Sequence, residues 1–248
     1  MKRTDCTFCL PSFSGGGAER VFVNLISEFA HKDQTASRLD LDAKSKEGRR
    51  NLAMQVSDDR HGVATSEKLN KLTCVVMTES GAMRELLPDN CNLVSVGCNS
   101  ARASLLRLAL IFNRQKPTIV VSTLAYFNFI IILALMLSLH RPTRILLREA
   151  NLPSSTIKAL PIHWLGSFLY KWLYNRADIV ICNSSETLGE LLELGVERHR
   201  VTLIPNPVDI VSVRRQALEA CRLPDFLDPS LPLFVAVGRL VQQKGMDR

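Results

Sequence analysis

Between Asp89 and Glu149 the chain carries no acidic residue. Over that stretch Arg102, Arg107, Arg114, Lys116, Arg141, Arg144 and Arg148 supply positive charge, and the remaining basic residues balance the 24 acidic ones, so this segment accounts for the formal net charge of +7. Such a region either faces an anionic partner, such as phosphorylated lipid, a membrane surface or nucleic acid, or forms a solvated face. Aromatics make up only 6% of the chain and do not interleave with the cations in any recognised nucleic-acid motif, so no nucleic-acid partner is expected. No cation-flanked apolar segment with a small-residue cleavage site opens the chain, so a secretory leader is not expected. The seven cysteines, an odd number, scatter through apolar runs such as Ile179–Cys182, as reduced thiols in a cytoplasmic protein do. Cys6 and Cys9 share a Cys-x-x-Cys spacing, but a strand points residues three apart to opposite faces, and no second pair completes a metal site. Neither a metal nor a cofactor is expected. The chain also lacks a Walker loop and the Gly-x-Gly-x-x-Gly of dinucleotide binders.

What is present begins with Ser14-Gly15-Gly16-Gly17-Ala18-Glu19-Arg20. An apolar run, Cys6 to Leu10, precedes it, and Val21, Phe22, Leu25, Ile26 and Phe29 follow at helical spacing. Glycines between a strand and a helix let the backbone turn sharply and leave the first helical N–H groups open to an anion or a sugar hydroxyl. The same glycines also suit a turn that merely packs a helix close to a strand. From residue 31 to 71 the sequence is dense in charge and has no Phe, Tyr or Trp. It cannot bury enough apolar surface to offset its ordering entropy, and reads as a flexible insertion or a stretch in a shifted frame.

Beyond it, strands and helices alternate. Leu72 to Met77, Cys91 to Val96, Thr118 to Ser122, Arg144 to Arg148, Ala177 to Cys182 and Val201 to Ile204 read as strands. Helical patterns cover Gly81 to Leu87, Ala101 to Asn113, Leu124 to Leu139, a segment with Ile162, Leu165, Leu169 and Leu173 as its apolar stripe, and Glu186 to Leu194. Trp164 and Trp172 lie near that stripe and are expected in the core. Leu124 to Leu139, with the strand before it, approaches the roughly 20 residues of a membrane span. Its internal Asn128 and short helical length favour a buried helix. The alternation predicts an α/β domain with a parallel, Rossmann-like sheet over 1–204. Pro205-Asn206-Pro207-Val208-Asp209 opens a linker region over 205–232, and Leu233 to Val237 begins a second domain over 233–248.

Four blocks carry a resemblance: Gly15 to Val21; Ala177 to Ser184; Val201 to Asp209; and Val237-Gly-Arg-Leu-Val-Gln-Gln-Lys-Gly245. In order and spacing they resemble the retaining, nucleotide-sugar-dependent glycosyltransferases of the two-domain GT-B fold, family 4, and specifically its bacterial cell-surface glycan type. The resemblance implies a nucleotide-sugar donor and a glycan or polyprenyl lipid-linked acceptor. It also implies a cytoplasmic protein; if the first domain meets the anionic inner face of the membrane, the charge pattern makes that contact peripheral, through Arg102, Arg107, Arg114 and neighbouring cations. By the same resemblance, Arg239 and Lys244 hold the donor diphosphate, Gly15, Gly16 and Gly17 form the acceptor or phosphate loop, Asn183 and Ser184 border the cleft, and Glu149 is the candidate catalytic residue. Three departures accompany it: the 31–71 stretch, Ala150 where many relatives are polar, and a second domain lacking the family's paired glutamates spaced eight apart. The chain by itself is therefore expected to be inactive. Two other readings use the same scaffold: a GT-B nucleotide-sugar epimerase, and a non-catalytic membrane-associated fragment.

Overall fold

The computed structural model describes residues 4–14, 16–31, 69–98, 101–160, 162–208 and 210–219, together with 232 and 234. Gly15, Arg239, Lys244 and residues 32–68 lie outside these, as does most of the stretch read as linker and second domain. The chain divides into two units, Met1–Pro207 and Val208–Arg248. In the second, the described residues form α7 (Ile210–Ala217), inside the stretch read as linker.

The first unit is built on seven parallel strands: β1 (Thr4–Leu10), β2 (Leu69–Val76), β3 (Asn92–Ser95), β4 (Ile119–Thr123), β5 (Arg144–Glu149), β6 (Ile179–Cys182) and β7 (Val201–Leu203). Their order across the sheet is β3-β2-β1-β4-β5-β6-β7. Helix α1 spans 17–31, followed later by α2 (Ala101–Gln115), α3 (Ala125–Leu137), α4 (Pro153–Lys158), α5 (His163–Leu169) and α6 (Ser185–Glu193). β2 starts at Leu69, three residues before the strand read from the sequence, so the charged stretch ends sooner than expected.

Register decides what each face buries. Phe8 aligns with Cys74 and Val121, and Cys9 with Val75 and Ser122. Side chains alternate along a strand, so Phe8, Cys6 and Leu10 pack with Phe22, Val23 and Ile26 of α1. Cys9, Val75 and Val120 pack on the other side with Leu108 and Phe112 of α2 and Phe127 and Ile131 of α3. That layer continues over β5 and β6, because Leu147 is paired with Ser122 and Val180, and it buries Phe129, Tyr170 and Tyr174. Cys6 and Cys9 thus sit on opposite faces, and burial pushes the Cys6 thiol up to about 12.

Two expectations need correction. Gly81 to Leu87 forms only a 3-10 turn, Ala82–Leu86. The stripe Ile162, Leu165, Leu169 and Leu173 is not the buried side of one helix. α4 and α5 are separate, and a wide five-residue π turn, Tyr170–Tyr174, follows α5. Gly166 seats α5 against α4, where an added Cβ would lie 3.0 Å from both Ile157 and Leu160. The wide turn rotates Tyr170, Leu173 and Tyr174 into the core and leaves Ile162 and Trp164 exposed, with Trp172 at the surface. The tryptophans expected in the core are therefore on the outside. Leu124 to Leu139 behaves as read, with α3 largely buried and no helix among the described residues long and apolar enough to cross a membrane.

Candidate active site

From β1 the chain moves outward through β2 and β3, then returns to the other side of β1 as β4. Loops leaving the carboxyl ends of β1 and β4 therefore diverge, and ligands of open α/β sheets bind in the crevice at such a switch point. Here residues 11–14 leave β1, Gly16 enters α1, and Leu124 follows the last residue of β4, Thr123.

The β1 loop is strapped at its base. The amides of Met77 and Thr78 donate to the Pro11 carbonyl at 3.2 and 3.3 Å, Phe13 N donates to Ser80 O at 3.2 Å, and Met83 N donates to Phe13 O at 3.3 Å. Gly81 makes this approach possible: its φ is 129°, and an added Cβ would stand 1.9 Å from the Phe13 oxygen. Beyond the strap, Gly16 leads into α1. A Cβ at Gly16 would stand 2.2 Å from Glu19 Oε2, so the Glu19 carboxylate folds back over this glycine. As the third residue of the helix, Glu19 meets the positive end of α1 from within, in the manner of a capping box. An added Cβ at Gly17 meets nothing within 4 Å, so that side of the loop is open.

Across the crevice, Leu124 takes φ 72°, a conformation rare for a non-glycine residue and found at sites whose surroundings over-determine it. Its carbonyl accepts from Phe127 N and Asn128 N, starting α3. Arg148, the penultimate residue of β5, is buried. Its Nη1 donates to Thr123 Oγ1 at 3.1 Å and its Nη2 to Asn206 Oδ1 at 2.7 Å, tying together the ends of β4 and β5 and the Pro205–Pro207 segment. Burial lowers the Arg148 pKa, while the negative charges of Glu149 and Glu19 oppose that. Burial and Glu19 also raise the pKa of half-exposed Tyr126. Glu19, Tyr126 and Arg148 therefore form one electrostatic group at the carboxyl edge.

Alternation in β5 sends Glu149 to the opposite face. Its carboxylate is fully buried, with Oε2 accepting from Tyr174 Oη and, at 3.3 Å, Tyr170 Oη, and Oε1 from Asn151 N at 3.4 Å. Burial raises its pKa to about 7, against the hydrogen bonds from Tyr174 and Asn151. Asn128, the internal polar residue of α3, donates to Arg148 O at 3.1 Å and Tyr174 Oη at 3.0 Å, and its buried Oδ1 has no partner. Next along the edge, Asn183 Nδ2 donates to Ala150 O at 3.5 Å, and Ser184 Oγ caps α6 by accepting from Thr187 N at 3.2 Å.

The sequence candidates thus separate. Gly16 and Gly17 lie at the crevice, Glu149 lies behind it in a closed tyrosine network, and Asn183 and Ser184 hold backbone at the end of β6. Glu19, Leu124, Tyr126 and Arg148 had no role assigned from sequence. Glu19 lies inside the glycine motif, and Arg148 stands in the sequence only as a cation of the basic segment at the end of a strand.

Residues 77–211, more than half of the chain, match the model of Glycosyltransferase Family 4. The chain belongs to this family. The matched region begins where β2 ends and covers every strand from β3 to β7. No curated protein matches the family 4 chain. Among solved structures it is similar to HepE of Anabaena in complex with UDP and glucose, at 13% identity and a TM-score of 0.55, covering 87% of this chain and 50% of that one. It is also similar to the apo form of the lipopolysaccharide outer core galactosyltransferase WaaB, at 12% identity and a TM-score of 0.54, covering 84% of this chain and 46% of that one. At these identities the likeness shows the fold, a Rossmann-like α/β unit with a parallel sheet. The family 4 chain spans about half the length of these structures. The UDP-GlcNAc 2-epimerase of Methanocaldococcus jannaschii superposes at a TM-score of only 0.46, which carries no argument for the epimerase reading.

Proposed function

We propose that this family 4 chain is the acceptor-side part of a glycosyltransferase that moves a sugar, with retention of configuration, from a nucleotide sugar to a glycan or lipid-linked acceptor. The family match over 77–211 carries this reading; it covers β4, whose carboxyl end forms one border of the switch-point crevice, while β1 and the glycine loop precede it. The UDP complex of HepE supports a nucleotide-sugar donor by analogy of fold. In this reading the acceptor lies against Gly16 and Gly17. Glu19 already neutralises the amino end of α1, so the loop suits a sugar hydroxyl better than a phosphate. Arg148 fixes the crevice wall through Thr123 and Asn206. Glu149 acts as a positioning residue that sets Tyr170, Tyr174 and the Ala150–Asn151 backbone. The domain division at 204 and 233 and the inactivity of the isolated chain belong to the same proposal. So do the cytoplasmic location and the contact with anionic membrane.

Arg239 and Lys244 then hold the donor diphosphate and neutralise charge as the glycosidic bond breaks. The test is transfer from a panel of nucleotide sugars to lipid-linked acceptor, by a chain extended with a donor-side domain, with the product anomer read by NMR. Arg239→Ala or Lys244→Ala should slow transfer by roughly 30- to 1000-fold, the equivalent of about 2–4 kcal/mol, without matching loss of acceptor binding. Tight, saturable binding of nucleotide sugar to residues 1–248 alone would contradict this division of labour.

A further inference from the structure

The outer side of α5 and the π turn after it is aromatic. Trp164 is 72% exposed and Phe168 53%, and Trp172 lies beside them at the surface. Phe168 and Trp172 stack at 6.1 Å between ring centroids with 13° between planes, and the Arg176 guanidinium lies 4.0 Å over the Trp172 ring. The three rings follow one another at intervals of four residues, so they form a column along one side of the segment.

The charges on the segment that carries this column have one sign. Between Asp89 and Asp178 the single acidic residue is Glu149, which is buried on the other side of the segment. From 150 to 177 the ionisable cations are Lys158, Lys171, Arg176 and His163, all exposed. Of the acidic groups on α6 and the segments around it, Glu186 and Glu193 are exposed, and the others are held by protein groups. Glu190 accepts from Ser154 N at 2.7 Å and Ser154 Oγ at 2.8 Å. Asp178 pairs with Arg144 and accepts from Ile145 N, and Glu197 pairs with Arg200 and His199. Lys171 lays its aliphatic stem along Gly195, leaving its ammonium group at the surface.

Exposed Trp and Phe bordered by cations are the composition of an interfacial membrane contact, with rings at the headgroup boundary and cations against lipid phosphates. A symmetric pairing of two copies through this surface would set Lys158, Lys171 and Arg176 against their own equivalents, which like-charge repulsion disfavours. We propose that Trp164, Phe168 and Trp172, with Lys158, Lys171 and Arg176, form a docking surface for an anionic lipid bilayer. This deepens the lipid-acceptor reading and rests on it for its purpose, and it moves the membrane contact away from α2. There the Arg107 guanidinium is already held by Val96 O at 2.9 Å and Gly97 O at 2.8 Å.

The chain has only two tryptophans, and both lie on this surface, so intrinsic emission reports on it directly. The 248-residue chain is titrated with vesicles of phosphatidylcholine alone and of equal parts phosphatidylcholine and phosphatidylglycerol, with sedimentation in parallel. The expected result is a blue shift and co-sedimentation with the anionic vesicles, little of either with neutral ones, and weakening as salt screens the charges. Trp164→Ser with Phe168→Ser removes exposed rings only and should lower vesicle affinity roughly tenfold or more while the circular dichroism stays unchanged. Lys158→Glu with Lys171→Glu keeps both tryptophans and should abolish the preference for phosphatidylglycerol. Absence of binding overturns the proposal, and so does co-sedimentation without any change in tryptophan emission, which would assign binding to another face. A lipid-free dimer with shielded tryptophans would overturn it in favour of a second copy. Transfer to a short soluble acceptor depends on neither ring nor vesicle, so the transferase reading and this surface fail separately.

Discussion

Helix α3 and the α5 segment with its π turn touch one another and lie in the same layer over the sheet. Phe129 of α3 packs edge-on against Tyr170 at 5.1 Å and Tyr174 at 5.8 Å. Both segments are strongly apolar, yet α3 buries Phe127, Phe129, Ile131, Ile132, Ala134 and Leu135, while α5 turns Trp164 and Phe168 outward. The difference lies in their neighbours. α3 has α2 on one side and the π turn on the other, so most of its apolar side chains find partners, and only Tyr126 and Leu137 stay exposed. α5 has α4 pressed against Gly166 and the core beneath Tyr170, which leaves its outer side uncovered. Apolar content alone does not place a segment in the core; the number of packed neighbours decides how much of it becomes core.

The sharpest way to break this comparison is in α3. Phe127→Ala should lower stability by about 3–5 kcal/mol, read as a shifted denaturant midpoint, because the ring is wholly buried and leaves a cavity. A loss below about 1 kcal/mol would mean that α3 is not the packed centre of its layer. Next in size is the pH dependence of Glu149. Its pKa rises from 4.5 unfolded to about 7 folded, so the folded chain holds the extra proton between those values. Stability linked to this group is fully present below pH 4.5 and is lost as pH rises through 7, a fall of roughly 3 kcal/mol. Glu149→Gln should remove this fall, gaining on the parent chain between pH 5 and pH 8 in denaturation profiles. Parallel profiles would show that the carboxylate is solvated.

Tyr174→Phe deletes the hydroxyl shared by Glu149 and Asn128 and should cost about 1.5–3 kcal/mol at neutral pH, with the larger loss where Glu149 is ionised. Ser184→Ala removes the cap of α6 and should cost about 1 kcal/mol in the same assay. At the small end, Trp164→Ser should change stability by no more than about 0.5 kcal/mol, since the ring is 72% exposed.

Much of the architecture was legible because a buried parallel strand is a short continuous apolar run, and six such runs stood out beyond β1. The cap of α6 by Ser184 and the glycine with φ 85° that follows that helix, Gly195, are local features of the same kind. The tryptophans were misjudged for a physical reason: their spacing fits an ordinary helix, and a π turn at Tyr170–Tyr174 changes the period without any local marker. Arg148 and Glu19 were hidden for another reason. Their meaning lies in contacts with Thr123, Asn206 and Gly16, and only the strand order brings those segments together. Glu149 was found as a residue at a strand end, but alternation along β5 sends it behind the crevice while Arg148 faces it.

This layer turns a core inward at α3 and an aromatic surface outward at α5. Acrylamide quenching of Trp164, isolated by Trp172→Phe, tests it most directly in the native chain without lipid. The exposed ring predicts red-shifted emission and quenching close to that of the denatured chain. Blue emission with quenching several-fold weaker than in the denatured chain would contradict it, placing Trp164 in a core and removing the docking surface.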